Sequence, residues 1–309
     1  MKNIIKLTGL ITLIIFSFFY TDKVIEVIRE EDSIMIELKE LEESYKVNPV
    51  NASIVSNTII PGINGKNINL DKSYKEMKSI GVVNKSMLIY DTIKPTISIT
   101  NNKDKFIIKG NSNKQVVSLI FIIDNDKYLT NLETISKTRN ITINYFIDYN
   151  YLINNTTKIK EMTNSEFYSY GDNGKYTPDN LLFSNNLITR ISNNEANLCL
   201  DSTMGNEIID LCSKNNLYTI TPSIVAEKNA YKTIKENLSS GSLILLNKNK
   251  ETINNINTII DYIEGKGLTI EGLSHLITEE LNWVKFLCPL FLTTIKILDT
   301  INMYSWIIN

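Results

Sequence analysis

The sequence predicts an α/β fold, a (β/α) barrel of about seven parallel strands, and three observations predict it. Short strand-like runs recur at Val116–Ile123, Ile141–Ile147, Glu166–Tyr170, Ala196–Leu200, Leu217–Thr221, Ser242–Leu246 and Leu268–Ile270. Segments with the apolar spacing of helices fall between them, and strands joined by helical crossovers run parallel. The flanking residues are those that start and stop helices. Thr177 before Pro178 reads as an N-cap with proline at the first helical position, and Gly265 and Gly267 bracket the end of the last long helix. Closure into a barrel is the usual way for such strands to bury both faces; an open doubly wound sheet is the alternative.

Taken in order, the chain begins with Lys2 and Lys6 and continues from Leu7 to Tyr20 without a charge. The run is near the lower limit of a bilayer span, and FSFFYTDKVIE has no small-residue cleavage site. Residues 1–21 therefore read as an uncleaved signal anchor, a single-pass transmembrane helix with its lysines inside and the C-terminal body extracytoplasmic. Residues 22–46 are charged and of helical period, a stalk. Residues 47–112 carry turn glycines, a proline and short β-branched runs, a small β-containing lead-in module. The barrel occupies 113–281, with Leu129, Leu132 and Ile135 on one helix face and Leu181, Leu182, Ile188 and Ile191 on another. The apolar tail 282–309 is interrupted by Lys285, Pro289, Lys296 and Asp299. A charge at mid-membrane costs about 2.5–3.5 kcal/mol, so a helix on the barrel or on the membrane surface fits the tail better than a second span.

Composition excludes some functions. A net charge of -2 with 21% charged residues offers no basic surface for nucleic acid, and a 43% hydrophobic share supports a packed core. Abundant Ile, Asn and Lys with few Arg, Ala and Gly suggest an AT-rich, low-GC bacterial genome. Gly62–Gly65 and Gly171–Gly174 are turns, since neither has the strand–loop–helix pattern of a phosphate loop. Cys199, Cys212 and Cys288 lack metal-ligand spacing. Cys199 and Cys212 flank one strand-to-helix turn; a disulfide is conceivable there, and two buried small hydrophobes is the preferred reading.

Three blocks between about Lys114 and Ile277 carry a resemblance: KQVVSLIFIID followed by ITINYFID, then NEIIDLCSKNNLYTITPS, then GSLILLNKNKETINNINTIIDYIEGKGLTIEGLSHLI. They resemble the polysaccharide deacetylases, the NodB-like domains of carbohydrate esterase family 4, whose fold is a distorted (β/α) barrel. The resemblance implies removal of an acetyl group from an amino sugar by a divalent metal such as Zn, held by an Asp and two His. Carried over residue by residue, the family's Thr-Phe-Asp-Asp-Gly falls on Ile120, Phe121, Ile122, Ile123 and Asp124. The general base then falls on Ile122 and the metal-binding Asp on Ile123, and neither side chain can accept a proton or bind a metal. The His-x-x-x-His pair falls in FYSYGDNGKYTPD, where Asn173 and Thr177 or Tyr176 stand nearest, and the segment 200–205 holds no arginine. Asn247 stands where a histidine would protonate the leaving amine, and His275, the chain's single histidine, lies elsewhere in GLSHLI. With every such position vacant, the expectation is a pseudoenzyme without a metal cofactor.

Two further readings stay open beside it. Asp124, Asp126, Asp172 and Asp201 fall near C-terminal strand ends, where an all-oxygen metal site could restore N-deacetylase activity. A scaffold for envelope enzymes that binds no sugar is the other. A glycan groove needs only amides, carboxylates and an aromatic face, and its candidates are Asp124, Tyr170, Asp172, Asn173, Tyr176, Asp201 and Asn247, with Tyr168 nearby. The expected partner is a cell-wall or other envelope polysaccharide, or an envelope protein.

Overall fold

The computed structural model describes residues 2–192 and 194–280, and of residues 2–7, 18 and 22 the backbone only. The tail 282–309, with Cys288, lies outside the described residues. The chain divides into two units, one formed by residues up to Val50 with Asn64–Lys94, the other by Asn51–Ile63 with the chain from Pro95 onward.

The first unit holds helices α1 (Lys2–Glu30) and α2 (Ser33–Tyr45), strand β3 (Gly65–Ile68), helix α3 (Leu70–Ile80) and strand β4 (Tyr90–Ile93). Between its two segments the chain makes β1 (Ser53–Val55) and β2 (Thr58–Ile60), which belong to the second unit. Asp32 breaks the first helix and caps the second, its carboxylate accepting from the Ile34 N–H at 3.0 Å. Strands β3 and β4 pair antiparallel, and Ile34, Leu38, Ile68, Met77 and Leu88 form the core. Residues 22–46, expected as a stalk, comprise the end of α1 and all of α2, and α2 packs Ile34 and Leu38 into this core. Among the described residues no helix is long and apolar enough to cross a membrane. The anchor expected over 1–21 falls largely on the stretch of α1 whose first side chains are outside the description.

The second unit continues with β5 (Phe106–Ile107), β6 (Val116–Ile123), α4 (Leu129–Arg139), β7 (Ile143–Ile147), α5 (Tyr149–Asn154), α6 (Thr156–Glu161), β8 (Ser165–Ser169) and α7 (Pro178–Ile191). It closes with β9 (Leu198–Leu200), α8 (Asn206–Lys214), β10 (Tyr218–Ile220), β11 (Ile224–Ala226), α9 (Ala230–Asn237), β12 (Leu243–Leu246), α10 (Lys250–Gly265), β13 (Thr269–Ile270) and α11 (Leu273–Ile277). Each of the seven predicted runs forms a strand, and β11 is an eighth that the sequence reading missed. Its alternation of buried and exposed residues is only three residues long, too short to read as a strand.

The strands form a mixed α/β fold with parallel sheets, consistent with a distorted barrel. One sheet runs β11-β12-β6-β7-β8, with β13 paired to the start of β6, and the other runs β1-β2-β5-β10-β9. All strand pairs of the two sheets are parallel except β1 with β2. Among the described residues the two sheets do not join into a single closed ladder, since β8 and β9 are edge strands that do not pair with each other. Side chains fill the interior instead: Ile120, Phe146 and Tyr168 of one sheet pack with Leu198, Leu200 and Ile220 of the other. The lead-in module expected over 47–112 is correspondingly not one body, since β1, β2 and β5 join this unit. β1 pairs with β2 and β2 with β5, and β5 continues the ladder into β10. Gly241, at φ 84°, lets this segment pass: the Gly110 N–H donates to its carbonyl at 2.8 Å, and a Cβ there would lie 2.2 Å from the Gly110 oxygen.

The period of two along β6 separates two cores. Val117, Leu119, Phe121 and Ile123 face the helices with Leu129, Leu132 and Ile260, while Val116 and Ile120 face the interior. Helix α7 starts as predicted, with Thr177 Oγ1 accepting from the Asn180 N–H and Asn180 Oδ1 accepting from the Thr177 N–H. Its buried face is Leu181, Ser184 and Ile188, and Leu182, expected there, is 47% exposed. Helix α11 plugs the end where β6 begins: Leu273, Leu276 and Ile277 join the interior core, and the Leu273 N–H donates to the buried Asn144 Oδ1 at 2.7 Å. The opposite end, where the strands terminate, stays open.

Candidate functional site

At that open end the termini of five strands surround a cleft of about 470 Å³. The end of β6 contributes Ile122 and Asp124, β7 Asp148, β8 Tyr170 and the following turn Asn173, β11 Ala226 and Glu227, and β12 Asn247 and Lys248. This is the rim on which barrel proteins of this kind carry their ligands, since loops there vary without disturbing the core.

Asp148 is the buried centre of the rim. Its Oδ1 accepts from the N–H groups of Asn150 and Tyr151 at 2.9 and 3.2 Å, capping α5, and its Oδ2 accepts from the Asn173 N–H at 2.8 Å. That last bond holds Asn173 in the left-handed region at φ 50°, a conformation Asn tolerates better than most residues. Across the cleft Lys248 has a side chain only 6% exposed. Its Nζ donates to the Asn125 carbonyl at 2.5 Å and to Asn125 Oδ1 at 3.1 Å, and stands 3.5 Å from Asp124 Oδ1. Burial lowers the Lys248 pKa, and the Asp124 carboxylate opposes that shift. Burial also raises the Tyr170 pKa, with Asp124 and Asp148 adding to it. The loop after β6 is fastened on its other side too, Asp126 Oδ1 accepting from the Tyr151 hydroxyl at 2.5 Å and from Lys158 Nζ at 2.6 Å.

Of the residues predicted from sequence, Asp124, Tyr170, Asn173 and Asn247 meet in this cleft with Ile122. Ile123 does not; it is fully buried on the helix side of the sheet, because it is one residue out of phase with Ile122 and Asp124. Asp172 lies outside the lining, exposed, with Oδ1 accepting from Asn150 Nδ2 and Asn173 Nδ2, both at 3.0 Å. Tyr176 turns inward. Its hydroxyl donates to the Ser169 carbonyl at 2.9 Å and accepts from the Leu200 N–H at 3.1 Å, bridging β8 and β9 where no ladder joins them. Asp201 is 3% exposed and fastens its own loop, accepting from the N–H and hydroxyl of Thr203 and from the Gly205 N–H, each at 2.7 Å. Tyr168 is wholly buried, its hydroxyl donating to Glu166 Oε2. Cys199 and Cys212 are joined in a disulfide between β9 and α8, which corrects the reading of two separate hydrophobes. The strand-to-helix turn brings the two together, and burial of both alongside Leu181 completes that small core.

The sequence reading missed Asp148, Lys248, Asn125, Lys127 and Glu227. Asp148 carried the same signal as Asp124, an acid ending a strongly apolar strand. Lys248 directly follows Asn247, and its burial could not be read from a lysine in a polar run.

The residues present do not fit the divalent metal that the resemblance implies. Among the described residues no group of three His, Cys, Asp or Glu side chains is placed to hold one. Both oxygens of Asp148 are spent on backbone N–H groups, and Ile122 offers no donor. An ion beside Asp124, some 4 Å from an ammonium, would meet roughly 8 kcal/mol of repulsion at an effective dielectric of about 20. The rebuilt site from Asp124, Asp126, Asp172 and Asp201 is not assembled either, since only Asp124 lines the cleft.

No family model matches the chain. An uncharacterized protein of Bacillus subtilis strain 168, YlxY, is 25% identical over 285 residues, 82% of this chain and 86% of that one. The crystal structure of wild-type BA3943 of Bacillus anthracis, described as a pseudoenzyme of carbohydrate esterase family 4, superposes with a TM-score of 0.60. It is 18% identical, over 81% of this chain and 96% of that one. A BA3943 mutant described as having restored enzymatic activity gives the same score and identity over 99% of its chain.

Proposed function

We propose that this chain, which shares the fold of carbohydrate esterase family 4, is a catalytically silent relative that holds an envelope glycan in its strand-end cleft. One observation carries the reading: the cleft persists as a walled, polar-lined cavity, while an isoleucine, Ile122, stands in it where the family's general base would be. Hydrolysis needs a group that takes a proton from water and another that protonates the leaving amine; Ile122 and Asn247 do neither. Binding needs less. Asn173, Asn247 and Asp124 supply hydrogen-bonding groups, and Tyr170 supplies an aromatic face. A mutant of the BA3943 pseudoenzyme regains activity, so loss of catalysis in that protein has left a usable frame; the same history accounts for the cleft here.

The test offers the full chain N-acetylated cell-wall glycans with Zn, Co, Mn or Mg and follows both acetate and retention. No acetate, together with glycan retention that Asp124→Ala with Asn247→Ala abolishes, is the expected result. Acetate release with stoichiometric metal would establish a working N-deacetylase instead, and a folded chain that retains no glycan would leave the scaffold reading.

We place the protein at the cell membrane with this unit outside the cytoplasm. The run of exposed apolar side chains on α1, Leu13, Phe16 and Phe19 among them, supports a tether, and the Cys199–Cys212 disulfide supports an oxidising compartment. Protease treatment of intact cells should remove the second unit; complete protection would place it inside.

A further inference from the structure

We propose that Lys248 is a resident cation that takes the place of a metal ion in this cleft, so that the cleft assembles and works without any divalent metal. The argument starts from how the ammonium is surrounded. An ammonium has three N–H donors, and Lys248 Nζ faces three oxygens: the Asn125 carbonyl at 2.5 Å, Asn125 Oδ1 at 3.1 Å and Asp124 Oδ1 at 3.5 Å. Those three are a carbonyl, an amide oxygen and a carboxylate, the hard oxygen donors that a Ca²⁺ or Mn²⁺ ion selects. All three come from the loop that follows β6, and the lysine comes from the loop that follows β12, so the contact fastens two neighbouring strand ends across the cleft.

Burial shows that the lysine belongs to the site rather than to the surface. Its side chain is 6% exposed while its partner Asp124 remains 57% exposed toward the cleft. A long cationic side chain is rarely so covered unless its head group has fixed partners. Lys248 lies in the cleft wall beside Asn247, and Ile122, which has no donor atom for an ion, lines the same cleft. Positive charge is thus supplied by the chain itself, at a fixed position, and a second cation there would face repulsion and too few donors. Of the other two carboxylates that line the cleft, Asp148 is occupied by three N–H donors, and Glu227 comes from the end of β11 rather than from the loop that Lys248 holds. Lys248 acts through the loop it holds, as a positioning residue. The inference stands whether or not a glycan fills the cleft.

The test is metal binding by the full-length protein, read by calorimetry and by thermal melting with Ca²⁺, Mn²⁺ or Zn²⁺ and with a chelator. Wild type should bind none of them in the cleft, and neither metal nor chelator should shift its melting temperature. Lys248→Met removes the charge and keeps the stem, which frees the three oxygens; its affinity for Ca²⁺ or Mn²⁺ should rise by about tenfold or more, with a melting temperature that metal now raises. Lys248→Arg, which keeps a cation, should stay indifferent to metal. Stoichiometric metal binding by wild type that Asp124→Asn abolishes would overturn the proposal, whether or not Lys248→Met folds. A folded Lys248→Met chain as indifferent to metal as wild type would overturn it as well. Glycan retention that wild type shows without chelator should survive it; retention lost on chelation and regained with metal would overturn the proposal too, while a chain that retains no glycan under either condition bears on the binding function alone.

Discussion

The two ends of the second unit each set a covered lysine near a carboxylate, and they use them differently. At the closed end Lys114 is 8% exposed, and its Nζ donates to the carbonyls of His275 (2.8 Å) and Thr278. Glu279, also 8% exposed, accepts from the Ser98 hydroxyl at 2.5 Å, the Ile99 N–H at 3.1 Å and the Gly62 N–H at 3.2 Å. At the open end Lys248 is covered but its partner Asp124 faces the cleft. The closed end therefore spends this lysine and this carboxylate on the fold itself, and the open end keeps part of its charge for something else. A buried ionisable group marks a functional site only when it also borders a cavity.

The sharpest way to break that comparison is at Glu279. Replacing it with alanine strands the N–H groups of Gly62 and Ile99 and the Ser98 hydroxyl, and leaves Lys114 without its nearest anion. A loss of about 3–5 kcal/mol is expected in denaturant unfolding, with β2 and the segment after β4 loosening first. A loss under about 1 kcal/mol would show that the closed end is not held by this carboxylate. The disulfide comes next. Cys199 and Cys212 are separated by 13 residues, so opening the bridge by the paired substitution to alanine should cost about 3 kcal/mol, most of it through a less constrained unfolded chain. A reductant should produce the same loss in wild type and none in the double variant.

Lys114 sharpens the comparison through pH. Burial lowers its pKa from 10.5 to about 8, while Glu279 and Glu280 act the other way. Between those values the unfolded chain binds a proton that the folded chain has released, so this group makes stability rise with pH. From pH 8 toward 10 the gain is about 2 kcal/mol, and above about pH 10 the buried tyrosines oppose it, since Tyr168 and Tyr176 must stay protonated in the fold. Lys114→Met should flatten the rise between pH 8 and 10. An unchanged slope in that variant would assign the effect to another group.

Much of the second unit was legible in the sequence because strand runs such as VVSLIFIID are long, apolar and bounded by helix caps. The cap at Thr177 with Pro178 after it could be read directly, although its reciprocal partner Asn180 came only with the structure. What was not legible depended on long-range pairing. The ladder of β5 with β10 takes residues about 110 positions apart, and nothing local in Phe106–Ile107 announces it. For the site, strand-end logic named Asp124 and Tyr170 and the family resemblance named Asn173 and Asn247, and the structure places all four on the lining of one cleft. Tyr176 and Asp201 lie off that lining, their polar groups facing β9 and a loop turn, because residue type does not tell which way a side chain points at a strand end. Strand-end logic missed Lys248 for the converse reason: a lysine is expected in water, and only the fold shows three oxygens waiting for it.

The smallest effect on stability should be the largest on function. Asp124 is more than half exposed, and its ion pair with Lys248 is a long one at 3.5 Å, so Asp124→Asn should change stability by under about 1 kcal/mol. The amide keeps an oxygen toward Lys248 and loses the charge presented to the cleft. If the open end serves binding, glycan retention should fall several-fold while the unfolding curve hardly moves. The matching change at the closed end, Glu279→Gln, should do the reverse, lowering stability with retention per folded molecule unaltered. Equal effects of the two substitutions on both measurements would mean that the open end, like the closed one, spends its charge only on the fold.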